Sequence, residues 1–331
     1  MLAVVLVLAP AWLTAGCSRD HSGEPREANP AAPTHTVDDF TATLADTPGV
    51  NLKFRDDQVV VVDLRSAEGV ALQQGIESLD WLPAVSEVFL PGAAMSPETI
   101  GILRRCPELK RLRVIGPGCD DDAVAGVAQL PTLLALTLQE TEVTDRGAEV
   151  LQQLPNLRDV SLMRSPVTDA CLRSLTGCRE LTKLNLRGTD ITGENFGAIE
   201  SLPVEDLELA ETDFGSAGMT SVAELQQLRK LNLWMTRIDD SGLATLKGRT
   251  GLTWLNLDNC AAISDASVDV LLSMNGLELL HVGGTSISPD EVLRFAELPE
   301  LKTLFVTRLG VDERIAGKLK SKSPNLENLE Y

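Results

Sequence analysis

One apolar pattern recurs along most of the chain. Segments of the form L-x-x-L-x-L begin at ten positions spaced 23 to 25 residues apart: Val85, Leu109, Leu133, Leu157, Leu181, Val204, Leu228, Leu252, Leu277 and Leu301. A degenerate copy starts at Val59 and a truncated copy at Leu326. In x-L-x-L-x, successive side chains point to opposite faces of a strand, so the leucines face inward and the intervening residues face outward. Each unit is therefore predicted to begin with a short β-strand.

The second half of each unit has the features of a helix start. Ser96 and Ser288 each precede a proline, which places serine at an N-cap and proline at the first helical position, and Ser288 with Glu291 matches a capping box. Acidic residues stand at equivalent cap or first-turn positions: Asp145, Asp169 and Asp265. Because one unit cannot bury its own apolar face, neighbouring units must stack into a continuous core. The pattern predicts an α/β solenoid with parallel strands on one face and short helices on the other.

The consensus unit, L-x-x-L-x-L-x-x-T-x-[IV]-[TS]-D, resembles that of leucine-rich repeat proteins. It is similar to the subclass with short repeats and ITDxGL-like turns, which occurs in F-box proteins and bacterial secreted proteins. The resemblance covers residues 59–331 and implies a curved horseshoe of about 11–12 repeats, with the parallel β-sheet on the concave face and helices on the convex face. Many members carry an asparagine ladder at the ninth position, whereas this column reads Thr141, Ser165, Thr189, Thr212, Thr236, Cys260 and Thr285. Hydroxyl groups can bond nearby backbone, so we expect a weaker form of the ladder.

The first 17 residues have a different composition. Met1–Gly16 is almost wholly apolar but shorter than the roughly 20 residues that a bilayer-spanning helix needs, which favours a signal peptide over residues 1–17. The stretch "LTAGC" ending at Cys17 resembles a bacterial lipobox, although Thr14 stands where leucine is usual and no basic residue precedes the apolar run. This resemblance implies lipidation of Cys17 and an exported protein anchored at the outer membrane or cell surface. The alternatives are a signal without lipidation and a buried helix.

Two segments connect this leader to the repeats. Residues 18–35 are rich in proline, alanine and charge, which is typical of a flexible linker. Residues 36–58 are predicted to form an N-terminal cap, with a short helix over "VDDFTATL" and strands over "VNLKF" and "QVVVVDL". At the other end the last strand, "NLENLEY", is poorly covered unless residues 311–325 or something else packs over it.

The charge balance excludes several classes of partner. Lys and Arg number 29 against 48 Asp and Glu, which gives a net charge of −19. Nucleic-acid binding needs clustered basic residues, and so does adhesion to anionic lipid, so neither is expected. The outward strand positions are nearly neutral, which places the acidic excess on the helices, edges and tail, where it favours solubility. We expect a monomer that contacts membrane only through its N-terminal lipid.

Candidate chemistry is sparse. His281 is the one histidine within the repeats, and no G-x-S-x-G motif accompanies it. The acidic run "CDDDAV" at 119–124 aligns with the helix starts of other repeats and lacks a calcium-binding pattern. The five cysteines beyond Cys17 contain no C-x-x-C and are expected to be small buried hydrophobes. Carboxylates at Asp206 and Glu208 have a spacing that a glycosidase could use, but nothing marks them as desolvated. We expect no catalytic site, metal or cofactor.

Aromatic residues at outward positions carry the functional prediction. Trp234 and Trp254 lie on adjacent repeats, and we expect them side by side, about one strand spacing apart and substantially exposed. Clustered exposed aromatics on a rigid polar face are typical of binding hot spots. The predicted ligand-binding residues are Asn232, Trp234, Met235, Trp254, Asn256, Asp258, His281, Phe305 and Arg308. The alternative is that the C-terminal flank covers these side chains and their role is structural.

Together these features favour a membrane-anchored extracytoplasmic scaffold that binds a protein or peptide partner through its concave face. A carbohydrate or cell-wall binding module is the alternative, because tryptophan with Asn and Asp also suits a glycan. An adaptor of the F-box type would need an additional helical domain, which residues 18–58 are too short to form.

Overall fold

The computed structural model describes residue 41 and residues 44–331, and its main element is a sheet of 13 strands whose spatial order follows the chain. The strands β1 to β13 are Asn51–Arg55, Gln58–Asp63, Glu87–Pro91, Arg111–Ile115, Ala135–Gln139, Asp159–Ser161, Lys183–Asn185, Asp206–Glu208, Lys230–Asn232, Trp254–Asn256, Leu279–His281, Thr303–Phe305 and Asn328–Glu330. β1 and β2 form an antiparallel hairpin, and every later neighbouring pair is parallel. One strand per repeat confirms the predicted solenoid.

Short helices connect the parallel strands. The α-helices α1 to α9 are Gly69–Ser78, Pro97–Leu103, Asp121–Val124, Asp145–Ala148, Met219–Glu224, Asp240–Leu243, Val268–Leu272, Pro289–Val292 and Glu313–Lys322. The 3-10 helices are Leu79–Trp81, Gly92–Ala94, Ala125–Gln129, Glu149–Gln153, Asp169–Gly177, Phe196–Ile199, Ser216–Gly218, Ala244–Leu246, Asp265–Ser267 and Leu293–Glu297. Within the described part of the chain no helix is long and apolar enough to cross a bilayer.

The predictions for the leader and linker, including lipidation of Cys17, fall outside the described residues, as does most of the helix expected over 37–44. The strands predicted over "VNLKF" and "QVVVVDL" agree with β1 and β2 to within one residue at each end.

The core is one continuous apolar cluster that runs through all the repeats. Each of the ten anchor residues that open the repeats is at most 2% exposed. Leu184, the central residue of β7, is 1% exposed, whereas its neighbour Lys183 is exposed. The alternation of inward and outward residues that the sequence predicts is therefore correct. One face of the sheet is covered by the helical segments, and the other, the open sheet face, carries the outward residues.

The ninth position of the repeat forms the expected hydroxyl ladder. Thr189 donates its hydroxyl hydrogen bond to the Leu186 carbonyl at 2.5 Å, and Thr236 donates in the same way to Leu233 at 2.8 Å. Cys260 replaces the hydroxyl in the next repeat, and its Sγ lies 2.9 Å from the Leu233 carbonyl oxygen. Burial raises the pKa of the Cys260 thiol, so it remains a neutral donor. A threonine column thus satisfies backbone carbonyls where each strand ends.

A second ladder of aspartates links consecutive repeats on the helical side. The predicted first-turn position of Asp145 is confirmed, and its carboxylate accepts hydrogen bonds from the Thr168 backbone N–H at 2.9 Å and hydroxyl at 2.7 Å. Asp240 binds Ser264 of the following repeat in the same way, at 2.8 and 2.6 Å. Each aspartate therefore serves its own helix N-terminus and fixes the N-cap residue of the next unit. The sequence pattern predicts the first role but not the second.

Two serine caps behave differently. Ser96 accepts a hydrogen bond from the Thr99 backbone N–H at 3.2 Å, as an N-cap should. Ser288 also occupies an N-cap position, but its side chain makes no capping bond, and Glu291 instead pairs with Arg294 at 2.9 Å. The predicted capping box at Ser288 is therefore wrong, because the Ser288 backbone N–H that Glu291 would accept from already donates to Asp265 at 2.7 Å.

The cap residue Asp239 provides a pH-dependent test of this helical side. Its Oδ1 accepts hydrogen bonds from the Ser216 and Ser241 hydroxyls at 2.6 Å and from the Gly242 N–H at 3.0 Å. These bonds, led by that from Ser216, lower the pKa of Asp239 from 3.8 to about 2. A pKa below the unfolded value means that the carboxylate stabilises the fold above the unfolded pKa and loses this effect as the pH falls toward the folded pKa.

We therefore expect Asp239→Asn to lower the free energy of unfolding more at about pH 7 than at about pH 3. Urea denaturation followed by circular dichroism at both pH values measures the difference. Equal losses at the two pH values would show that the charge of Asp239 contributes nothing.

The C-terminal segment forms one more helix and strand. α9 buries Ile315, Ala316 and Leu319 against the core, so part of the 311–325 segment covers the preceding repeat. In β13 the outward residues Asn328 and Glu330 are exposed, and Leu329 between them is only partly buried. The last strand is therefore less well covered than the strands before it.

Candidate binding surface on the open sheet face

Outward side chains come from positions 3, 5, 7 and 8 of each repeat, counted from its first anchor residue. In the repeat that begins at Leu228 these are Lys230, Asn232, Trp234 and Met235. The eighth position has a left-handed backbone in nine consecutive repeats, at Gly116, Glu140, Arg164, Gly188, Glu211, Met235, Asn259, Gly284 and Arg308. This turn follows the strand in each unit, and it requires a conformation that only glycine adopts at no steric cost.

Met235 is a non-glycine residue in this strained turn. Its φ is 55°, and its side chain is 51% exposed. A left-handed residue with a Cβ costs about 1–2 kcal/mol, whereas glycine loses about 0.5–1 kcal/mol more conformational entropy on folding. We expect Met235→Gly to leave the free energy of unfolding unchanged or to raise it by up to about 1 kcal/mol.

Urea denaturation of Met235→Gly measures this effect, with Lys230→Gly as a control at an exposed position that is not left-handed. A loss above about 1 kcal/mol in Met235→Gly would mean that the methionine packs for stability.

The two tryptophans are not side by side. Trp254 occupies position 3 and pairs with Lys230 of β9, whereas Trp234 occupies position 7. Next to Trp234, the Met235 N–H donates to the Asp258 carbonyl at 3.0 Å, so Trp234 is level with Asp258. Four residues along a strand separate the two levels by about 13 Å. The sequence prediction was wrong because two outward residues on adjacent repeats are neighbours only if they share a position.

Trp234 is part of an intramolecular stack. The Arg187 guanidinium carbon lies 4.9 Å from the centre of its ring, although two repeats separate the residues. The intervening repeat has the small Ala210 at the same position. Arg187 also donates to Glu211 at 2.6 Å, which holds the guanidinium over the indole. Trp234 and Trp254 are both only partly exposed, so the expectation that both are substantially exposed is wrong. The Nε1 of Trp234 is also buried without a partner within the described residues.

Asp258 and Arg308 form a similar contact across one repeat. Arg308 Nη2 lies 2.6 Å from Asp258 Oδ1. The repeat between them has Gly283 and Gly284 at positions 7 and 8, and a Cβ on Gly284 would approach Arg308 Nη2 to 3.2 Å. Asp258 is only 8% exposed. The prediction that Asp258 is an outward group free to bind a ligand is therefore wrong, because its carboxylate is buried and paired with Arg308.

The asparagine side chains at position 5 also make hydrogen bonds within the protein. Asn232 Oδ1 accepts a hydrogen bond from the Trp234 N–H at 3.1 Å, and Asn256 Oδ1 accepts one from the Asp258 N–H at 2.9 Å. The Asn232 amide nitrogen donates to Glu208 at 2.7 Å. These side chains complete the turn that ends their own strands. Asn232 and Asn256 are predicted ligand-binding residues, but their amide oxygens are already bonded within the protein.

Four other residues form a contiguous patch, which we call the aromatic cluster: Trp254, Leu279, His281 and Phe305. Trp254 pairs with Leu279 across β10 and β11, and His281 pairs with Phe305 across β11 and β12. The His281 and Phe305 ring centres are 4.8 Å apart in an edge-to-face arrangement. All four side chains are partly exposed. The sequence reading missed Leu279, since a leucine beside two anchor leucines looks like core, yet its position 3 identifies it as outward.

His281 has one defined tautomer at neutral pH. Asn256 Oδ1 already accepts from the Asp258 backbone, so the contact of 3.0 Å between this oxygen and His281 Nδ1 requires a proton on Nδ1. Burial lowers the pKa of His281, and Arg308 adds to this effect, while Asp258 at 4.0 Å opposes it. The ring is therefore neutral near pH 7. Within residues 44–331 no hydroxyl or thiol is hydrogen-bonded to the ring, as a nucleophile activated by histidine would be.

The other candidate chemical groups have structural partners. Asp120 caps α3 and accepts from the Ala123 N–H at 2.9 Å, as the helix-start interpretation of "CDDDAV" predicts. The described residues contain no group of three His, Cys, Asp or Glu arranged to hold a metal. Burial raises the pKa of Glu208, but both carboxylate oxygens accept hydrogen bonds, from the Ala210 N–H and from Asn232. The remaining cysteines are free and buried, and burial raises the pKa of the Cys119 thiol to about 12.

Comparisons with known proteins identify the architecture. No protein-family model matches the chain, and no curated protein does. The structure is similar to the crystal structure of an internalin (inlF) from Listeria monocytogenes, with a TM-score of 0.53, 15% identity, and coverage of 89% of this chain and 94% of that chain. The chain has the leucine-rich repeat fold. At this identity the similarity extends to the fold alone. The structure of an internalin C2 (inlC2) from the same species is 27% identical, with a TM-score of 0.46 and coverage of 63% of this chain and 82% of that chain.

Proposed function

We propose that this protein is an extracytoplasmic leucine-rich repeat scaffold, lipid-anchored to the cell envelope through Cys17, that binds a protein or peptide partner. The observation that carries the proposal is the aromatic cluster on the open sheet face. Trp254, Leu279, His281 and Phe305 are contiguous, partly exposed and held on adjacent strands of a rigid sheet. Binding hot spots combine large apolar side chains with little entropy to lose. Solenoids also commonly use an extended sheet face for binding.

A peptide fits this face better than a glycan. The carbohydrate alternative depends on Asn and Asp side chains beside the tryptophans, and the amide oxygens of Asn232 and Asn256 are bonded to their own backbone. Asp258 is paired with Arg308. The residues immediately around Trp254 are Leu279 on one side and Lys230 on the other. The apolar Leu279 beside the indole favours contact with an apolar side chain of a peptide over contact with sugar hydroxyls.

A random peptide library displayed on phage tests the proposal when it is selected against the purified protein. A glycan array is probed in parallel. We expect enriched peptides with an apolar anchor that no longer bind when Trp254 and Phe305 are both replaced by alanine. Trp81, which is 61% exposed on a 3-10 helix away from this face, provides the matched control Trp81→Ala. Glycans that require Trp254, together with no enriched peptide, would support the carbohydrate alternative.

Anchoring has its own test. If Cys17 is lipidated, Cys17→Ser should lose its membrane association and either become soluble or retain an uncleaved leader. Fractionation of cells that express each form, with immunoblotting, measures the shift. Unchanged membrane association of Cys17→Ser would contradict the lipid anchor and leave the binding proposal intact.

A further inference from the structure

One column of the open sheet face combines charge with the aromatic cluster. Position 3 of six consecutive repeats reads Asp159, Lys183, Asp206, Lys230, Trp254 and Leu279. The strand register places each of these residues directly beside the next, from β6 to β11. The column therefore presents four charges of alternating sign followed by two large apolar side chains.

These four charges differ from most others on the face because they are unpaired. Most charged residues elsewhere on the face form ion pairs, although Arg111 and Glu330 do not within the described part of the chain. The pairs are Arg113 with Glu87 at 2.7 Å, Arg164 with Glu140 at 3.4 Å, Arg187 with Glu211 at 2.6 Å, and Arg308 with Asp258 at 2.6 Å. By contrast, none of the four charged residues of the column has a side-chain hydrogen bond or ion pair within residues 44–331. Each of them is at least partly exposed. Asp159, Lys183 and Asp206 also line an open depression of about 240 Å³. A partner can pair with these groups without first breaking an ion pair.

We infer that this column binds an α-helix of the partner that lies across the strands, a step that rests on the proposed function. Neighbouring strands are about 4.7–4.9 Å apart, and an α-helix advances about 5.4 Å per turn. One helical residue per turn therefore meets one repeat. The misfit of about 0.6 Å per turn accumulates to about 3 Å over five strand spacings, which long lysine and glutamate side chains can absorb.

An extended peptide matches the column less well. Side chains on one face of an extended chain repeat every two residues, at about 6.6–6.8 Å. Such a chain would lose register with the alternating charges after about two repeats, because each step exceeds the strand spacing by roughly 2 Å. A helix is thus the partner element that keeps each charge opposite its complement.

The order of the column specifies the chemistry of that helix. Opposite Asp159, Lys183, Asp206 and Lys230 the partner would present basic, acidic, basic and acidic residues in turn. Opposite Trp254 and Leu279 it would present two apolar residues. Five strand spacings cover about 24 Å, which corresponds to about 16 helical residues. The partner element is therefore an amphipathic helix with one mixed face, charged at one end and apolar at the other.

Two synthetic helical peptides of about 21 residues test this inference. The matched peptide carries Lys, Glu, Lys, Glu, Leu and Leu at one position per turn. The reversed peptide exchanges each Lys with Glu and keeps the composition and the leucines. Fluorescence anisotropy measures the Kd of both for the purified protein at low salt. We expect the matched peptide to bind at least about tenfold more tightly, with a difference that shrinks at higher salt.

The charges of the column can be exchanged in the protein as they are in the peptide. A variant with Asp159→Lys, Lys183→Asp, Asp206→Lys and Lys230→Asp should prefer the reversed peptide, since outward substitutions leave the core unchanged. A matched peptide with a central proline, which cannot remain helical, should bind the natural protein about tenfold more weakly. Equal binding of the matched and reversed peptides to the natural protein would overturn the inference. This outcome does not depend on whether the charge-reversed variant folds. Full binding by the proline peptide would overturn the helical geometry.

Failure of this inference is distinguishable from failure of the proposed function. If neither synthetic peptide binds while phage-selected peptides bind and require Trp254, the charged column is not a recognition element and the binding scaffold stands. If no phage-selected peptide binds either, both proposals are wrong.

Discussion

Replacing Leu184 with alanine is expected to lower the free energy of unfolding by about 2–5 kcal/mol. Leu184 is 1% exposed at the centre of β7, and its register neighbours are Val160 and Leu207 of the adjacent strands. Truncation leaves a cavity that both neighbours line. Because a repeat protein is stabilised by contacts between adjacent units, one cavity in a central repeat weakens two interfaces. Urea denaturation followed by circular dichroism measures the loss.

Lys183→Ala is the matched control, one residue away on the same strand. Its side chain is exposed and makes no ion pair within the described residues, so its loss should change the free energy of unfolding by about 0.5 kcal/mol or less. Comparable losses from Leu184→Ala and Lys183→Ala would contradict the strand register, since a shift of one residue exchanges the two faces of a strand.

The buried positions of this fold are predictable from sequence, because apolar residues recur at fixed positions of every repeat. Leucine or valine recurs at positions 1, 4 and 6 of the repeat, and a slip of one residue would expose Leu184 and bury Lys183. The ninth-position hydroxyls are predictable for a related reason. A threonine such as Thr236, just past a strand, can bond only a few local carbonyls, and it bonds that of Leu233.

The side chains on the open sheet face are less predictable, because their contacts join residues of different repeats. Whether Asp258 is free depends on Arg308, which is 50 residues away and reaches it over two glycines. Whether Trp234 is exposed depends on Arg187, which stacks over its ring two repeats away. Aligning the repeats by position would have separated Trp234 from Trp254 and revealed Leu279. It would not have shown which long side chains fold back onto the sheet.

The two tryptophans should consequently respond differently to alanine substitution. Trp254→Ala removes a member of the aromatic cluster, so we expect it to weaken binding of a phage-selected peptide by about 2 kcal/mol or more and to leave unfolding nearly unchanged. Trp234→Ala removes the ring beneath Arg187, so we expect it to lower the free energy of unfolding by about 1–2 kcal/mol. Its effect on peptide binding should be the smaller of the two.

Isothermal titration calorimetry and urea denaturation on both variants separate these effects, with Trp81→Ala as the control for loss of an exposed indole elsewhere. The contrast follows from geometry, since the ring of Trp234 is already stacked with its own chain, whereas Trp254 lies between Lys230 and Leu279 on the partly exposed column. If Trp234→Ala weakened binding more than Trp254→Ala, the partner would have to displace Arg187 from the indole. The binding surface would then lie at positions 7 and 8 of the repeats and not on the aromatic cluster.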